Sequence, residues 1–328
     1  MSGSRVLVAP DSFKGTFTAT RVAAAAAAGL RSAGLDPDGC PVADGGEGTL
    51  DAVAEAVEAE FRHVLVQDAI GAPRQARFAL LDGGLTALVE AAEVVGFDLI
   101  EVASRDPEAA STVGVGALIA AAVDAGAKRV MLAVGGTVTS DGGAGAVRAI
   151  EAAGGLGDAE LTVLCDVTNR FEDAASVFAP QKGASPDTVE RIAARLRTLA
   201  AEYPRDPRAV PRSGAGGGLA GGLWAALGAR LESGAARVLE LVGFAPRLDA
   251  VRAVVVGEGR LDGQTAHGKA IAEIAARARE RRLPVHAIVG ANELDAHAAA
   301  RLGLASVTEA TTLEEIERSA ARLGPWLR

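Results

Sequence analysis

The chain has 328 residues and a formal net charge of −9 at pH 7, with 49% hydrophobic and 23% charged residues. This length predicts about two domains, and the apolar content is ample for a globular core. The acidic balance argues against a nucleic-acid partner, which requires a basic surface, although it leaves room for a small anionic substrate. No apolar stretch reaches membrane length without a glycine or a charge, and no signal-peptide pattern follows Met1, so we expect a soluble, cytoplasmic protein without a membrane partner. Two cysteines are too few for a disulfide framework or a four-cysteine zinc site.

Short apolar runs rich in β-branched residues alternate with longer alanine-rich segments of helical spacing. In chain order, the sequence predicts a strand at 5–9, helices at 19–32 and 49–60, short strands at 63–67, 75–81 and 86–91, a helix at 109–125, strands at 129–134 and 161–165, a helix at 187–202, a strand at 251–256, a helix at 270–281, a strand at 285–289 and a helix at 313–323. Nearly continuous apolar runs are typical of strands buried on both faces of a parallel sheet. We therefore predict an α/β protein.

The three short strands between residues 63 and 91 break this alternation. Two turn signals join them, Gly71-Ala72-Pro73 and Asp82-Gly83-Gly84, and the second is typical of a tight turn. A β-meander inside a chain of alternating strands and helices predicts an inserted or second domain with a mixed sheet of its own.

Acidic, amide and glycine residues follow strand-like runs at six places, which are Asp11 and the segments 44–48, 135–143, 166–169, 257–262 and 290–292. In open α/β sheets, ligands bind at the carboxyl ends of strands, next to helix N-termini. We therefore expect these segments to line one shared cleft. One such segment alone would carry little weight, because glycine and aspartate are common in turns.

Four of the 33 basic residues are lysines, and three of these four, Lys14, Lys182 and Lys269, lie beside loop glycines. A chain that uses arginine almost everywhere is expected to retain lysine where a compact ammonium is needed. Backbone N–H groups and an ammonium together bind phosphate oxygens, so the three are candidate phosphate ligands. The alternative is that they are ordinary surface residues, since a generic lysine, Lys128, also persists in this chain.

This mixture of residues favours phosphoryl transfer, which needs phosphate-binding donors, carboxylates for Mg²⁺ and a carboxylate that orients or deprotonates the attacking hydroxyl. No serine lies in the Gly-x-Ser-x-Gly context of a hydrolase, and the four histidines lack metal-ligand spacing, with His267 a minor candidate inside a loop motif. Residues 263–270 match Gly-x4-Gly-Lys, but Ala270 stands where a P-loop has serine or threonine, which argues against a P-loop. The glycine-rich stretch 214–222 could either open a nucleotide-binding helix or allow close helix packing.

Seven motifs occur over about residues 7–292: 9–15 (APDSFKG), 43–49 (ADGGEGT), 135–145 (GGTVTSDGGAG), 165–169 (CDVTN), 180–184 (PQKGA), 257–265 (GEGRLDGQT) and Gly268-Lys269. In residues and order, they resemble the type I glycerate kinase family. Two positions depart from the family pattern. Arg170 and the residues after it stand where the family usually has Pro-Leu, and Ala179 stands where it usually has glycine.

The resemblance implies ATP-dependent phosphorylation of D-glycerate, usually to 2-phosphoglycerate, with Mg²⁺ as cofactor. It also implies a two-domain α/β scaffold with one domain inserted in the other. We accordingly assign residues 1–60 and 240–328 to a Rossmann-like parallel-sheet domain. Residues 61–239 are assigned to an inserted α/β domain with a mixed sheet.

The residues that match the family motifs, together with the glycine-rich stretch, define the candidate site. The candidates are Asp44, Lys14 and Asp262 for catalysis; Asp11, Ser12, Glu47, Glu258, Arg260 and Asn169 for substrate binding; Gly214, Gly216, Gly217, Lys182 and Lys269 for nucleotide binding; and Asp141 and Asp166 for Mg²⁺. Asp44 is the first choice for the general base and Asp262 the second.

Each of these roles has a structural alternative. Asp44 could be an acid favoured by a helix N-terminus, and Asp141 a helix cap. Glu258, Arg260 and Asp262 could form a structural ion cluster.

Two other functions remain open, a kinase of another small hydroxy acid or polyol and a non-catalytic metabolite-binding protein. Binding an anion needs no carboxylates at strand ends, whereas Mg²⁺-dependent transfer needs several, so the acids favour an enzyme. A nicotinamide-dependent enzyme is disfavoured, because no Gly-x-Gly-x-x-Gly follows the first strand.

Overall fold

A computed structural model describes residues 5–263 and 269–327, in which the chain forms two units. The residues up to Asp44, Asp51–Val57 and those from Ala235 onward form the first unit, and Gly45–Leu50 with Glu58–Gly234 form the second. Each unit has a sheet of its own, one entirely parallel and one mixed. These features confirm the predicted α/β class with two domains, one of which contains a mixed sheet.

The sheet of the first unit has five parallel strands, numbered in chain order: β1 (Arg5–Pro10), β2 (Asp36–Gly39), β9 (Ala253–Leu261), β10 (Val285–Asn292) and β11 (Leu304–Glu309). They lie in the order β11-β10-β9-β1-β2. The helices of this part of the chain are α1 (Ala19–Ser32), α2 (Thr49–Ala56), α9 (Gly234–Leu241), α10 (Phe244–Leu248), α11 (Ala270–Glu280), α12 (Ala296–Leu302) and α13 (Leu313–Leu323). Val6 and Val8 of β1 pack with Leu30 of α1 and Ile316 of α13 in one apolar core.

Helices α1 and α13 have the bounds that the sequence predicts, because local capping marks where each begins. The Thr18 hydroxyl accepts a hydrogen bond from the Arg21 N–H at 3.3 Å before α1. Thr312 and Glu315 form a capping box before α13, in which the Glu315 N–H donates to the Thr312 hydroxyl at 3.2 Å.

The sheet of the second unit has six strands: β3 (Glu60–Gln67), β4 (Pro73–Leu81), β5 (Thr86–Glu90), β6 (Arg129–Ala133), β7 (Glu160–Cys165) and β8 (Arg230–Ser233). β3, β4 and β5 form the predicted antiparallel meander, and β5 to β8 pair in parallel. The helices are α3 (Ala92–Val95), α4 (Val113–Asp124), α5 (Ala144–Ala152), α6 (Ala174–Phe178), α7 (Pro186–Glu202) and α8 (Leu219–Leu227). At the predicted tight turn, Asp82, Gly83 and Gly84 have φ of +52°, +65° and +93°.

Several elements differ from the prediction. The helix predicted at 49–60 ends at Ala56, and Glu60 begins β3 instead. The helix predicted at 109–125 begins only at Val113, because the Asp106 carboxylate accepts the N–H groups of Glu108 and Ala109 in a separate turn at 3.0 and 3.1 Å. Strand β2 was not predicted, since it is short, polar and contains Pro37, a composition that strands tolerate mainly at a sheet edge.

Cys40 and Cys165 are both buried free thiols. Throughout residues 5–263 and 269–327, each helix is either too short or too polar to cross a bilayer.

Candidate active site

The carboxyl ends of four parallel strands, β1, β9, β10 and β11, border a cavity of about 410 Å³ in the first unit. Seven predicted site residues line it: Asp11, Ser12, Lys14, Asp44, Glu258, Arg260 and Lys269. Phe13, Thr16, Gly259, Gly290, Ala291 and Thr311 complete the lining. The cavity lies where open parallel sheets bind ligands, and it brings three acids and three cationic groups together.

Lys14 lies in a tight turn between β1 and α1. The backbones of Phe13 and Phe17 exchange hydrogen bonds of 2.8 and 3.0 Å across this turn, and Gly15 within it has φ of +75°, which glycine adopts without strain. Phe13 is only 3% exposed and packs into the core of the unit. The Lys14 ammonium is half exposed and lies 3.6 Å from Asp44 Oδ2. A buried aromatic ring therefore anchors the turn that carries Lys14 to the cavity.

Asp11 and Asp44 are two buried carboxyls in the same cavity, 7% and 3% exposed. Burial, and secondarily the Asp44 carboxylate, raises the pKa of Asp11 to about 8, while the Lys14 ammonium opposes this shift. Asp11 Oδ1 also accepts the Ser12 N–H at 2.6 Å. The raised pKa favours the protonated form of Asp11 near the ion pair of Asp44 and Lys14.

The Lys269 ammonium lies close to two of the predicted acids, Glu258 within β9 and Asp262 directly after it. Its Nζ lies 3.9 Å from Glu258 Oε2 and 4.0 Å from Asp262 Oδ1. Glu258 is 7% exposed, whereas the Arg260 side chain is 62% exposed and pairs with Glu293 at 2.6 Å. Residues 264–268, which include His267 and the interior of the Gly-x4-Gly-Lys stretch, lie outside the described residues.

In the second unit, Asp141 lies in the loop between β6 and α5. Its Oδ2 accepts hydrogen bonds from the Thr112 N–H (2.9 Å), the Thr112 hydroxyl (2.8 Å) and the Gly145 N–H (3.1 Å), and its Oδ1 accepts the Gly143 N–H (3.1 Å). These bonds satisfy backbone donors at the starts of α4 and α5. This geometry favours the capping role of Asp141, and its role in metal binding stays a prediction.

The Lys182 side chain helps to hold the same loop, because it donates a hydrogen bond to a backbone carbonyl oxygen of the loop. Three side chains donate to carbonyl oxygens of this loop: Lys182 Nζ to Thr139 (2.5 Å), Arg195 Nη2 to Ser140 (2.9 Å) and the Tyr203 hydroxyl to Gly142 (3.0 Å). Lys182 is 3% exposed, and burial lowers its pKa to about 8 although the nearby Asp141 and Asp166 carboxylates oppose this shift. The sequence does not reveal that this lysine is buried.

The hydroxyls of Thr139 and Ser140 lie in this loop and are fully buried. Within the part of the chain that the structure describes, Thr139 Oγ1 and Ser140 Oγ have no hydrogen-bond partner. A buried hydroxyl without a partner costs free energy, so these groups call for a water molecule or a ligand.

Two predicted acids of the second unit lie beside Gly135 and Gly136, at the ends of β6 and β7. A methyl group on Gly135 would come 2.9 Å from Asp166 Oδ2, and one on Gly136 would come 3.4 Å from Glu47 Cβ. Glu47 and Asp166 are both half-buried. Glycine is needed at Gly135 because a methyl group there would also come 2.7 Å from the Gly46 backbone, which cannot move as easily as a side chain.

The predicted nucleotide-binding glycines form a tightly packed turn before α8. Gly214 donates its N–H to the Asn169 carbonyl oxygen at 3.0 Å, and Gly216 and Gly217 have φ of +63° and +67°. A methyl group on Gly217 would come 2.1 Å from the Thr139 carbonyl oxygen and 2.9 Å from Lys182 Nζ. The glycines thus permit close packing against the loop after β6, and a nucleotide-binding role for them stays a prediction.

The sequence reasoning missed two residues of these regions. Thr311 lines the cavity of the first unit, and its hydroxyl donates to Glu315 at 2.9 Å. Glu90 ends β5, is 4% exposed, and accepts the N–H groups of Gly48 and Leu50. An acid that ends an apolar run is the signal that could have identified Glu90.

Across 5–263 and 269–327, no group of three or more His, Cys, Asp or Glu side chains is arranged to hold a metal ion.

The glycerate kinase family model matches residues 6–154 and 151–324. The chain is 34% identical to a "Glycerate kinase" of Bacillus subtilis (strain 168), with 92% of this chain and 88% of that protein covered. It is 33% identical to a "Glycerate 2-kinase" of Escherichia coli (strain K12), with 96% and 94% covered. The fold is similar to the crystal structure of a putative glycerate kinase 2 from Salmonella typhimurium LT2, with a TM-score of 0.80, 32% identity, and 99% and 98% of the two chains covered. We conclude that the chain is a kinase that belongs to the glycerate kinase family.

Proposed function

We propose that this kinase transfers the γ-phosphoryl group of ATP to the 2-hydroxyl of D-glycerate and forms 2-phosphoglycerate. The observation that carries the proposal is the cavity of about 410 Å³ in the first unit, whose charged lining residues are Asp11, Asp44, Glu258, Lys14, Arg260 and Lys269. A small hydroxy acid needs cationic donors for its carboxylate and acidic acceptors for its hydroxyls, and this lining supplies both. The relatives named "Glycerate kinase" and "Glycerate 2-kinase" support the same substrate.

Asp44 is the proposed general base. It accepts the hydroxyl proton as the substrate oxygen bonds to phosphorus and the bond between phosphorus and the departing ADP breaks. The Lys14 ammonium, 3.6 Å from Asp44 Oδ2, neutralises charge on the transferring group. Asp262 is the second candidate for the base.

The remaining residues of the cavity are proposed to bind D-glycerate. Arg260 is suited to bidentate recognition of the substrate carboxylate, since its side chain is 62% exposed and a guanidinium matches carboxylate geometry. Asp11 in its protonated form donates a hydrogen bond to a substrate oxygen, and Ser12 and Glu258 complete the contacts. In the second unit, Glu47 and Asn169 are the proposed substrate ligands.

In the second unit, Lys182 and the turn of Gly214, Gly216 and Gly217 are the proposed nucleotide-binding residues. In the first unit, Lys269 is the proposed nucleotide-binding residue. The buried hydroxyls of Thr139 and Ser140, beside Lys182, support a polar ligand in this region of the second unit. When bound, Mg²⁺ neutralises phosphate charge. Asp166 and Asp141 are its two proposed ligands, and the Asp141 oxygens already accept four hydrogen bonds.

The fit to Mg²⁺ does not require a cluster of acids. This ion usually keeps several waters and takes only one or two carboxylates together with substrate phosphates. A half-buried acid beside glycine backbone, as Asp166 is, suits that mode of binding.

Phosphorus NMR of the purified protein with ATP, Mg²⁺ and D-glycerate tests the proposal. We expect a phosphoglycerate resonance that grows as ADP appears, with a proton coupling that identifies the 2-position. An Asp44→Asn variant should abolish this growth, whereas Lys128→Ala, on an exposed loop, should not change it. If the protein phosphorylates another hydroxy acid but not D-glycerate, that acid is the substrate instead. Failure to bind nucleotide would overturn the proposal.

A further inference from the structure

Glu90 holds the start of α2 although it is 40 residues away from Leu50 along the chain. Glu90 Oε1 accepts the Gly48 N–H at 3.0 Å, and Oε2 accepts the Leu50 N–H at 2.9 Å. The first N–H groups of a helix have no partner within the helix, and a carboxylate there is favoured by the helix dipole. Glu90 is 4% exposed, so the two bonds are shielded from water.

The loop that Glu90 holds contains three glycines and has little local means of keeping one shape. Gly45 and Gly48 have φ of +95° and +88°. Glycine loses more conformational freedom on folding than any other residue, so a loop with three glycines is costly to hold in one conformation. Within the loop, the Thr49 hydroxyl donates to the Gly46 carbonyl oxygen at 2.7 Å. Glu90 adds two bonds that tie the loop to the end of β5.

We propose that Glu90 is a positioning residue. It fixes the loop 45–50 and thereby holds Glu47 in the position from which it is proposed to bind substrate. Glu47 lies in the middle of the anchored segment, between Gly45 and the two N–H groups that Glu90 accepts. Asp44, the proposed base, precedes the same segment directly. The inference rests on the proposed function, and Glu90 itself touches no reacting atom.

Glu90→Gln is the variant that tests this role. The amide keeps the size of the side chain, but it has one acceptor oxygen, and its NH₂ group would face the second backbone N–H. Glu93→Gln is the matched control. Glu93 lies three residues away, on α3, and its carboxylate pairs with Arg77 at 3.0 Å, whereas the Glu90 carboxylate binds the loop. Both variants exchange one carboxylate for an amide in the same part of the chain.

We expect Glu90→Gln to lower kcat about 10- to 100-fold, because a misplacement of about 1 Å costs on this order, while KM for ATP changes less than twofold. Hydrogen exchange followed by mass spectrometry should show faster exchange in residues 45–50 and unchanged exchange in β6 and β7. Glu93→Gln should change neither quantity. Glu90→Asp, which keeps the charge but is one methylene shorter, should give an intermediate kcat.

Three results would overturn the inference: a kcat within twofold of wild type, a loss of activity no larger than the loss of folded protein, or faster exchange spread over the whole second unit. If Glu90→Gln does not fold, the kcat and loop exchange of Glu90→Asp decide by the same criteria. If the wild type phosphorylates no D-glycerate, the proposed function fails separately, and the exchange of residues 45–50 alone decides whether Glu90 anchors the loop.

Discussion

Asp11→Asn should remove a pH-dependent loss of stability that the wild-type protein carries in its cavity. Burial, followed by the Asp44 carboxylate, raises the pKa of Asp11 from an ordinary 3.8 to about 8. The folded state therefore keeps the Asp11 proton where the unfolded state releases it. The stability that this proton contributes is fully present below about pH 4 and is lost as the pH rises towards 8.

The size of the effect follows from the shift. One pKa unit corresponds to about 1.4 kcal/mol, so the wild type should lose up to about 4 kcal/mol between pH 5 and pH 8 through Asp11 alone. Asparagine resembles the neutral acid and cannot ionise. The melting temperature of Asp11→Asn should therefore exceed that of wild type by several degrees at pH 8, with a much smaller difference at pH 5.

Thermal unfolding followed by circular dichroism between pH 5 and pH 9 measures this difference. Asp124→Asn, at an exposed end of α4, is the control for the loss of one carboxyl. Asp44→Asn should weaken the pH dependence without abolishing it, because burial is the larger cause of the Asp11 shift. Parallel curves for wild type and Asp11→Asn would refute the reasoning.

Replacing Lys14 with alanine should lower kcat/KM for D-glycerate about 100- to 1000-fold, because the site loses a charged donor. Steady-state kinetics measure this, and a value within threefold of wild type would show that Lys14 is not part of the site. Gly217→Ala should lower the free energy of unfolding by about 3 kcal/mol or more, because a methyl group 2.1 Å from the Thr139 carbonyl oxygen forces the turn before α8 away from the loop after β6. A melting temperature within 2 °C of wild type would contradict this. Burial lowers the pKa of Lys182 to about 8, so the folded state releases this proton before the unfolded state does, and the contribution of Lys182 to stability rises between about pH 8 and pH 10. In thermal unfolding, the difference in melting temperature between wild type and Lys182→Met should therefore move in favour of the wild type over this range, and a constant difference would contradict the reasoning.

The sequence by itself determined features whose causes are local. The bounds of α1 and α13 could be predicted, because Thr18 and Thr312 cap them within one turn. The meander of β3, β4 and β5 could be predicted from strand-like runs joined by turn residues. The family could be identified from motifs, since their residues stand next to one another along the chain.

The tertiary structure decided what depends on residues far apart along the chain. Glu90 looks like the end of an apolar strand, and only the path of the chain brings its carboxylate to the Gly48 and Leu50 N–H groups. Lys182 has the loop context of an exposed phosphate ligand, yet packing buries it against the Thr139 carbonyl oxygen.

The same distinction applies to charge. The sequence places Asp11, Asp44 and Lys14 after strands, but a pKa depends on burial and on distances of a few ångströms between charges. In the folded first unit, both carboxyls are buried in one cavity and Lys14 lies 3.6 Å from one of them. The protonation state of Asp11 is therefore a property of the folded chain, because desolvation and neighbouring charges exist only once the strands have assembled.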